Sequence, residues 1–306
     1  MFKHMLVPLD GSRLAEAALP VASYLAQTLN AGVTLVHAIE RGAPQEVHGE
    51  RHLTAPDEAL AYLDEVAARA FPPTVCRDRH VHADQVGDVA RSIAEHAGEL
   101  RPDLIVMCTH GRSGLRGWLF GSIAQQVISM GTTPVLLVHP SGDAAAPPPF
   151  ACRRILVPRD FPVTHELGLS VAARLAKACS AAVHLLVVIP TSGTLSGERA
   201  VTRRLLPGAT AAILEMSSEG AEESIAAAVA RLQADGLAVT SEVCRGDPAE
   251  TIVAVAGRIA ADLVVLGTHG KHGMEAFWEG SVAPKVSSSA RVPILLVPEK
   301  DSAPAG

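Results

Sequence analysis

Ile155-Leu156-Val157-Pro158-Arg159-Asp160 restates Met5-Leu6-Val7-Pro8-Leu9-Asp10, and nothing else in the sequence restricts the fold as strongly. Ala182-Val183-His184-Leu185 restates Gly32-Val33-Thr34-Leu35 at the same separation of 150 residues, which is that from Asp10 to Asp160. Further along, Gly246-Asp247 answers Gly87-Asp88, and Gly270 answers Gly111, at a separation of 159. The second half therefore carries nine extra residues between Val188 and Gly246, expected in the Thr191–Pro207 stretch. Pro293-Ile294-Leu295-Leu296-Val297 closes the series by repeating Pro134-Val135-Leu136-Leu137-Val138. Repeats on this scale identify the folding unit before any local pattern is read. A chain of 306 residues then divides into a domain over 1–140, a linker over 141–150, a domain over 151–299 and a tail over 300–306. The linker contains Ala-Ala-Ala-Pro-Pro-Pro, which holds neither a helix nor a paired strand.

Inside each half, short apolar runs alternate with helical patterns. Leu6-Val7, Val33–Ala38, Leu104–Met107 and Val135–Val138 read as strands. Leu14, Ala18, Val21 and Leu25 share one face of a helix that Pro20 should bend, unless it sits where its missing N–H is tolerated. Leu60, Leu63, Ala67 and Ala70 mark another helix. Asp247-Pro248-Ala249-Glu250 is a strong helix start, with an N-cap Asp, Pro at N1 and an acid at N3. The strand runs are almost continuously apolar, as strands covered on both faces must be. Composition agrees, because 48% hydrophobic residues with only 3% aromatics suit helices on parallel strands better than an aromatic β-sandwich. Alternating strands and helices imply right-handed crossovers and a doubly wound parallel sheet, hence an α/β fold with two tandem domains. Ligands in such sheets bind beyond the carboxyl ends of the strands.

Two segments lie there in each half. One is the Asp that follows the first strand, Asp10 or Asp160. The other is a loop written twice, as Cys108-Thr109-His110-Gly111 … Gly121-Ser122 and as Gly267-Thr268-His269-Gly270 … Gly280-Ser281. Glycines after a strand let backbone approach a ligand. A Gly-Ser pair opening a helix offers free N–H groups, the positive end of the dipole and a hydroxyl to an anion. A carboxylate at the end of the first strand can accept from a ribose hydroxyl or an adenine amino group. The whole is a nucleotide cradle that is neither a P-loop nor a G-x-G-x-x-G turn.

V-P-L-D-G-S in the first half and G-x2-G-x9-G-S in the second resemble the universal stress protein family, and the resemblance covers both halves. It implies a five-stranded parallel sheet flanked by about four helices in each domain. It implies ATP as ligand, with or without Mg²⁺, in contact with the strand-one Asp, the end of strand two and the glycine loop. By position these residues are Asp10, Ala38, Gly111, Gly121 and Ser122 in one half, and Asp160, Val188, Gly267, Gly270, Gly280 and Ser281 in the other. It also implies pairing of the two domains through their last strands, Val135–Val138 with Ile294–Val297, and a possible homodimer.

The copies depart from the pattern differently. Cys108 stands at the first glycine of the first loop, and Arg159-Asp160-Phe161-Pro162 replaces Leu-Asp-Gly-Ser in the second half, where Phe161 is expected to narrow the adenosine side. The first loop holds Arg112 and Arg116, whereas the second holds Lys271 with Glu275 and Glu279. Glycine geometry is the harder steric demand, so the second site is favoured. His110 and His269 have no accompanying nucleophile or second base and read as structural rather than as proton donors, with His269 kept among the candidate nucleotide contacts of the second loop. The function expected is a regulatory ATP-binding module, with slow ATP hydrolysis or a nucleotide-free scaffold as alternatives.

His80 and His82 alternate on a strand, but with no third ligand near them in sequence they read as a surface pair rather than a metal centre. Cys108 reads as a small buried hydrophobe. Arg199–Arg204 reads as a solvated insertion. A net charge of −6 opposes general nucleic-acid binding. The absence of an apolar run of membrane length, of a leader pattern and of C-x-x-C pairs among five scattered cysteines points to a cytoplasmic protein.

Overall fold

The computed structural model describes residues 1–44, 46–47, 50–109, 122–140, 149–163, 166–191, 193–194, 207–269 and 282–299, with backbone alone at 47, 207–213, 269 and 299. The chain divides into two compact units, Met1–Ala151 and Cys152–Gly306.

Unit 1 contains β1 (His4–Pro8), α1 (Arg13–Glu16), α2 (Leu19–Leu29), β2 (Gly32–Glu40), the two-residue strands β3 (Glu46–Val47) and β4 (Glu50–Arg51), α3 (Pro56–Ala70), β5 (Arg77–Val86), α4 (Val89–Leu100), β6 (Leu104–Cys108), α5 (Ser122–Met130) and β7 (Val135–Val138). Five of these strands form a parallel sheet in the order β7-β6-β1-β2-β5. Met5, Leu6, Leu35, Leu104, Ile105, Leu136 and Leu137 are fully buried in it, and each such side chain contributes about 1.5–3 kcal/mol on leaving water. β5 is the outer strand beyond β2, and β3 pairs with β4 alone.

Unit 2 contains β8 (Arg154–Arg159), α6 (Leu167–Cys179), β9 (Ala182–Ile189), α7 (Pro207–Ala234), β10 (Val239–Arg245), α8 (Pro248–Arg258), β11 (Leu263–His269), α9 (Val282–Ser289) and β12 (Ile294–Glu299). Its parallel order, β10-β9-β8-β11-β12, is that of unit 1. Each unit is thus a doubly wound, Rossmann-like α/β sheet.

The repeat extends to local details of hydrogen bonding and backbone conformation. Asp103 accepts the backbone N–H groups of Lys3 (2.6 Å) and His4 (3.1 Å), and Asp262 accepts those of Arg153 and Arg154 (both 2.8 Å), fixing the start of the first strand in each unit. Left-handed backbone recurs at matched helix ends, at Asn30 (φ 50°) with Ser180 (φ 54°) and at Arg101 (φ 49°) with Ala260 (φ 49°). A residue in this conformation turns the chain off the helix while its N–H satisfies a terminal carbonyl.

Two expectations shift. The first helix is split, and Pro20 sits in the opening turn of α2, where a missing N–H costs nothing. In α3 the buried stripe is Ala59, Leu63, Val66 and Ala67, and Leu60 is exposed. The Thr191–Pro207 stretch lies mostly outside the described residues, and α7 has 28 residues where α3 has 15. Asp247 does cap α8, accepting from the Glu250 N–H at 3.0 Å.

Candidate functional site

Strand order reverses between β1 and β6 in unit 1, and between β8 and β11 in unit 2. Open parallel sheets take ligands at this switch point because the diverging crossovers leave a crevice there. In unit 1 the chain leaving β1 is held by the Leu9 N–H donating to the Val36 carbonyl (2.9 Å) and by the His37 Nδ1–H donating to the Leu9 carbonyl (2.8 Å). Asp10 follows. Its Oδ1 accepts from the Ser12 N–H (2.9 Å) and the Ser12 hydroxyl (2.7 Å), and Ser12 Oγ accepts from the Ala15 N–H (3.2 Å), capping α1. Gly11 turns at φ +91°, and a Cβ there would stand 3.0 Å from Leu53 Cδ1. The Arg13 N–H donates to Glu50 of β4 at 2.5 Å, tying the β3–β4 hairpin to the same turn.

Cys108 ends β6. Burial, and then the negative charge of Asp10, push its thiol pKa far up, so the side chain behaves as a neutral core group. Its counterpart Gly267 is exposed. The threonines of the two Thr-His-Gly motifs act alike: Thr109 Oγ1 donates to the Val138 carbonyl and Thr268 Oγ1 to the Val297 carbonyl, both at 3.4 Å, so each anchors its last strand.

Unit 2 builds the end of its first strand differently. Asp160 is exposed and has no Gly-Ser turn behind it. The Arg159 guanidinium, 6% exposed, pairs with Glu166 at 2.8 Å, and Glu166 also holds Arg231 of α7 at 2.5 Å. Burial lowers the Arg159 pKa from its ordinary value, Glu166 opposes the shift and Arg231 adds to it. Phe161 packs on Gly220 of α7, where a Cβ would come within 2.8 Å of its Cζ. The ring expected at the adenosine side is therefore engaged with a helix.

Of the other expected site residues, Ala38 and Val188 are half-buried on equivalent strands, in register with His82 and Cys244. Ser122 is the exposed first residue of α5. His269 ends β11 opposite Glu299. Gly111, Gly121, Gly270, Gly280 and Ser281 lie outside the described residues, as do His110, Arg112, Arg116, Lys271, Glu275, Glu279 and the Arg199–Arg204 stretch.

Two features were not read from the sequence. His52, beside Leu53, has a buried Nδ1 without a hydrogen-bond partner among the described residues. His80 and His82 do share a face, and α4 brings His96 to them. Burial and then the neighbouring His96 and His82 hold His80 below the usual histidine range, against a weaker pull from Glu99. A separation of sixteen residues between His80 and His96 shows this only once the helix face lying over β5 is known.

A model of the universal stress protein family matches residues 1–139 and 151–298. A universal stress protein of Mycobacterium tuberculosis is 27% identical over 310 residues, covering 96% of each chain. One from Bacillus subtilis is 29% identical over 154 residues, 45% of this chain and 100% of its own. A solved universal stress protein structure from Archaeoglobus fulgidus shares the fold with a TM-score of 0.62 at 17% identity, covering 98% of this chain and 97% of that one.

Proposed function

The chain belongs to the universal stress protein family as a tandem, two-domain member, and we propose that it is a regulatory protein binding an adenine nucleotide, ATP, in at least one unit. The observation that carries this reading is the Asp10 turn at the switch point of unit 1, where a half-buried carboxylate is oriented by Ser12 beyond the ends of β1 and β6. The described residues fit an adenosine. Asp10 or Asp160 accepts from ribose hydroxyls, backbone at Ala38 or Val188 faces the base, and exposed Gly267 leaves room for close approach. The phosphates fall to Gly111, Gly121 and Ser122, or to Gly270, Gly280 and Ser281, with Mg²⁺ as their counterion. The two units divide the requirements, because unit 1 keeps the carboxylate turn and unit 2 the full glycine spacing. A cytoplasmic location accords with the five cysteines, none of which is in a disulfide.

Titration calorimetry with ATP and Mg²⁺ tests the proposal, with Asp10→Ala and Asp160→Ala variants assigning the occupied unit. Absence of both heat and thermal stabilisation in the parent protein, with no nucleotide recovered from denatured protein, would overturn it in favour of a nucleotide-free scaffold.

A further inference from the structure

His80 and His82, two residues apart on β5, face α4, and His96 of α4 faces them. Their ligating nitrogens all lie within 4.8 Å of one another. The His80 and His96 rings are 4.5 Å apart between centroids, and the His82 and His96 rings stand edge to face at 5.0 Å. The orientation of His96 is fixed from behind. Its Nδ1 lies 2.7 Å from the Ser92 carbonyl, which can only accept, so Nδ1 carries the hydrogen. That leaves the Nε2 lone pair directed at His80 Nε2, 2.8 Å away. A backbone carbonyl behind the distal ring nitrogen is the usual device that sets the tautomer of a metal-binding histidine.

We propose that His80, His82 and His96 form a three-imidazole site for a divalent transition metal, Zn²⁺ foremost, with a fourth position left to solvent. Imidazole donors without carboxylates select zinc, copper or nickel and not magnesium or calcium. Two nitrogens on a tetrahedral zinc stand roughly 3.3 Å apart, given Zn–N bonds of about 2.0–2.1 Å. The metal takes the place of the hydrogen between His80 and His96, His80 adopting its Nδ1–H tautomer so that Nε2 offers a lone pair and the displaced proton exchanges with solvent, with an opening of about half an ångström. His80 and His82 are half-buried, which gives both the freedom for that adjustment and access from solvent, while His96 is 4% exposed and held by its helix.

The second unit supplies an internal contrast. Val33 pairs with Arg77 as Val183 pairs with Val239, so Glu242 and Cys244 occupy the places of His80 and His82. Asp88 and Asp247 cap α4 and α8, so Val255 occupies the place of His96. Glu242 is already engaged by His184 and Arg258. Among the described residues the full triad thus exists in unit 1 alone, and the site needs no nucleotide.

The experiment is a Zn²⁺ titration of chelator-treated full-length protein, without nucleotide, by calorimetry, with Co²⁺ as a spectroscopic substitute. One metal binds per chain, and cobalt shows the visible bands of a four-coordinate nitrogen–oxygen site without a thiolate charge-transfer band. His80→Gln and His82→Gln each weaken binding at least about tenfold, the lower end of what even an outer-sphere change costs. Metal-free thermal unfolding of both variants reports whether the fold is retained. In the parent protein, ring-proton NMR signals of His80, His82 and His96 shift on adding Zn²⁺ while those of His184 do not. Undiminished affinity in both variants, a thiolate band, or unmoved ring signals would each overturn the assignment.

Discussion

Ser12→Ala isolates the turn on which the proposed carboxylate depends. Ser12 is fully buried. Its hydroxyl donates to Asp10 at 2.7 Å and its oxygen accepts from the Ala15 N–H at 3.2 Å. Alanine keeps the Cβ and removes both bonds. Loss of an N-cap serine costs about 1 kcal/mol. The Ala15 N–H is left where water does not reach, and an orphaned buried donor costs about 1–3 kcal/mol, a range that overlaps the capping term. Asp10 retains the Ser12 N–H at 2.9 Å and is half-exposed, so water replaces its lost donor at little cost. The sum is about 2 kcal/mol, which for a unit of this size lowers Tm by roughly 4–8 °C. Urea denaturation at fixed m measures the change, and hydrogen exchange at the Ala15 amide locates it. A variant within about 0.5 kcal/mol of the parent, a change no larger than an ordinary surface substitution, with Ala15 still protected, would refute the reasoning.

Two further outcomes follow from unit 2. Burial raises the Glu242 pKa, but hydrogen bonds from Arg258, His184 and Cys244 outweigh it and hold the carboxyl below the usual glutamate range. A depressed acid stabilises the fold above its unfolded pKa and loses that contribution as pH falls through the folded value, so Glu242→Gln destabilises at neutral pH and the gap closes below about pH 4; a gap constant from pH 7 to 3 in denaturation profiles contradicts this. Gly220→Val drives a side chain into Phe161 and lowers stability by about 1–3 kcal/mol, and Phe161→Ala in the same chain restores part of that loss in a double-mutant cycle.

Much of the architecture is visible in local pattern. Val135–Val138 is a strand to the residue, and Asp247-Pro248 starts a helix where capping chemistry places it. These succeed because the determinants are neighbours in sequence. The buried stripe of α3 is displaced from Leu60 to Ala59 and Val66 because the side of a helix that meets a sheet is decided by tertiary packing. Phe161 against Gly220, and His96 against His80, join residues whose proximity depends on helix placement. The Asp10 turn was legible, since Asp, Gly and Ser supply an acceptor, a positive φ and a cap in consecutive positions.

The outer strand β5 also forms a margin of the sheet, beyond β2. Between Arg77 and Val86 it runs Arg, Asp, Arg, His, Val, His, Ala, Asp, Gln, Val, with Asp78, Arg79, Asp84 and Gln85 exposed. A passing strand that sought its unpaired amides would have to strip water from these charges to make a ladder. Nature blunts sheet margins with such residues to prevent open-ended growth. Crowded solutions should therefore gain no fibrous seed from this margin, and replacing its charges with valines would create one.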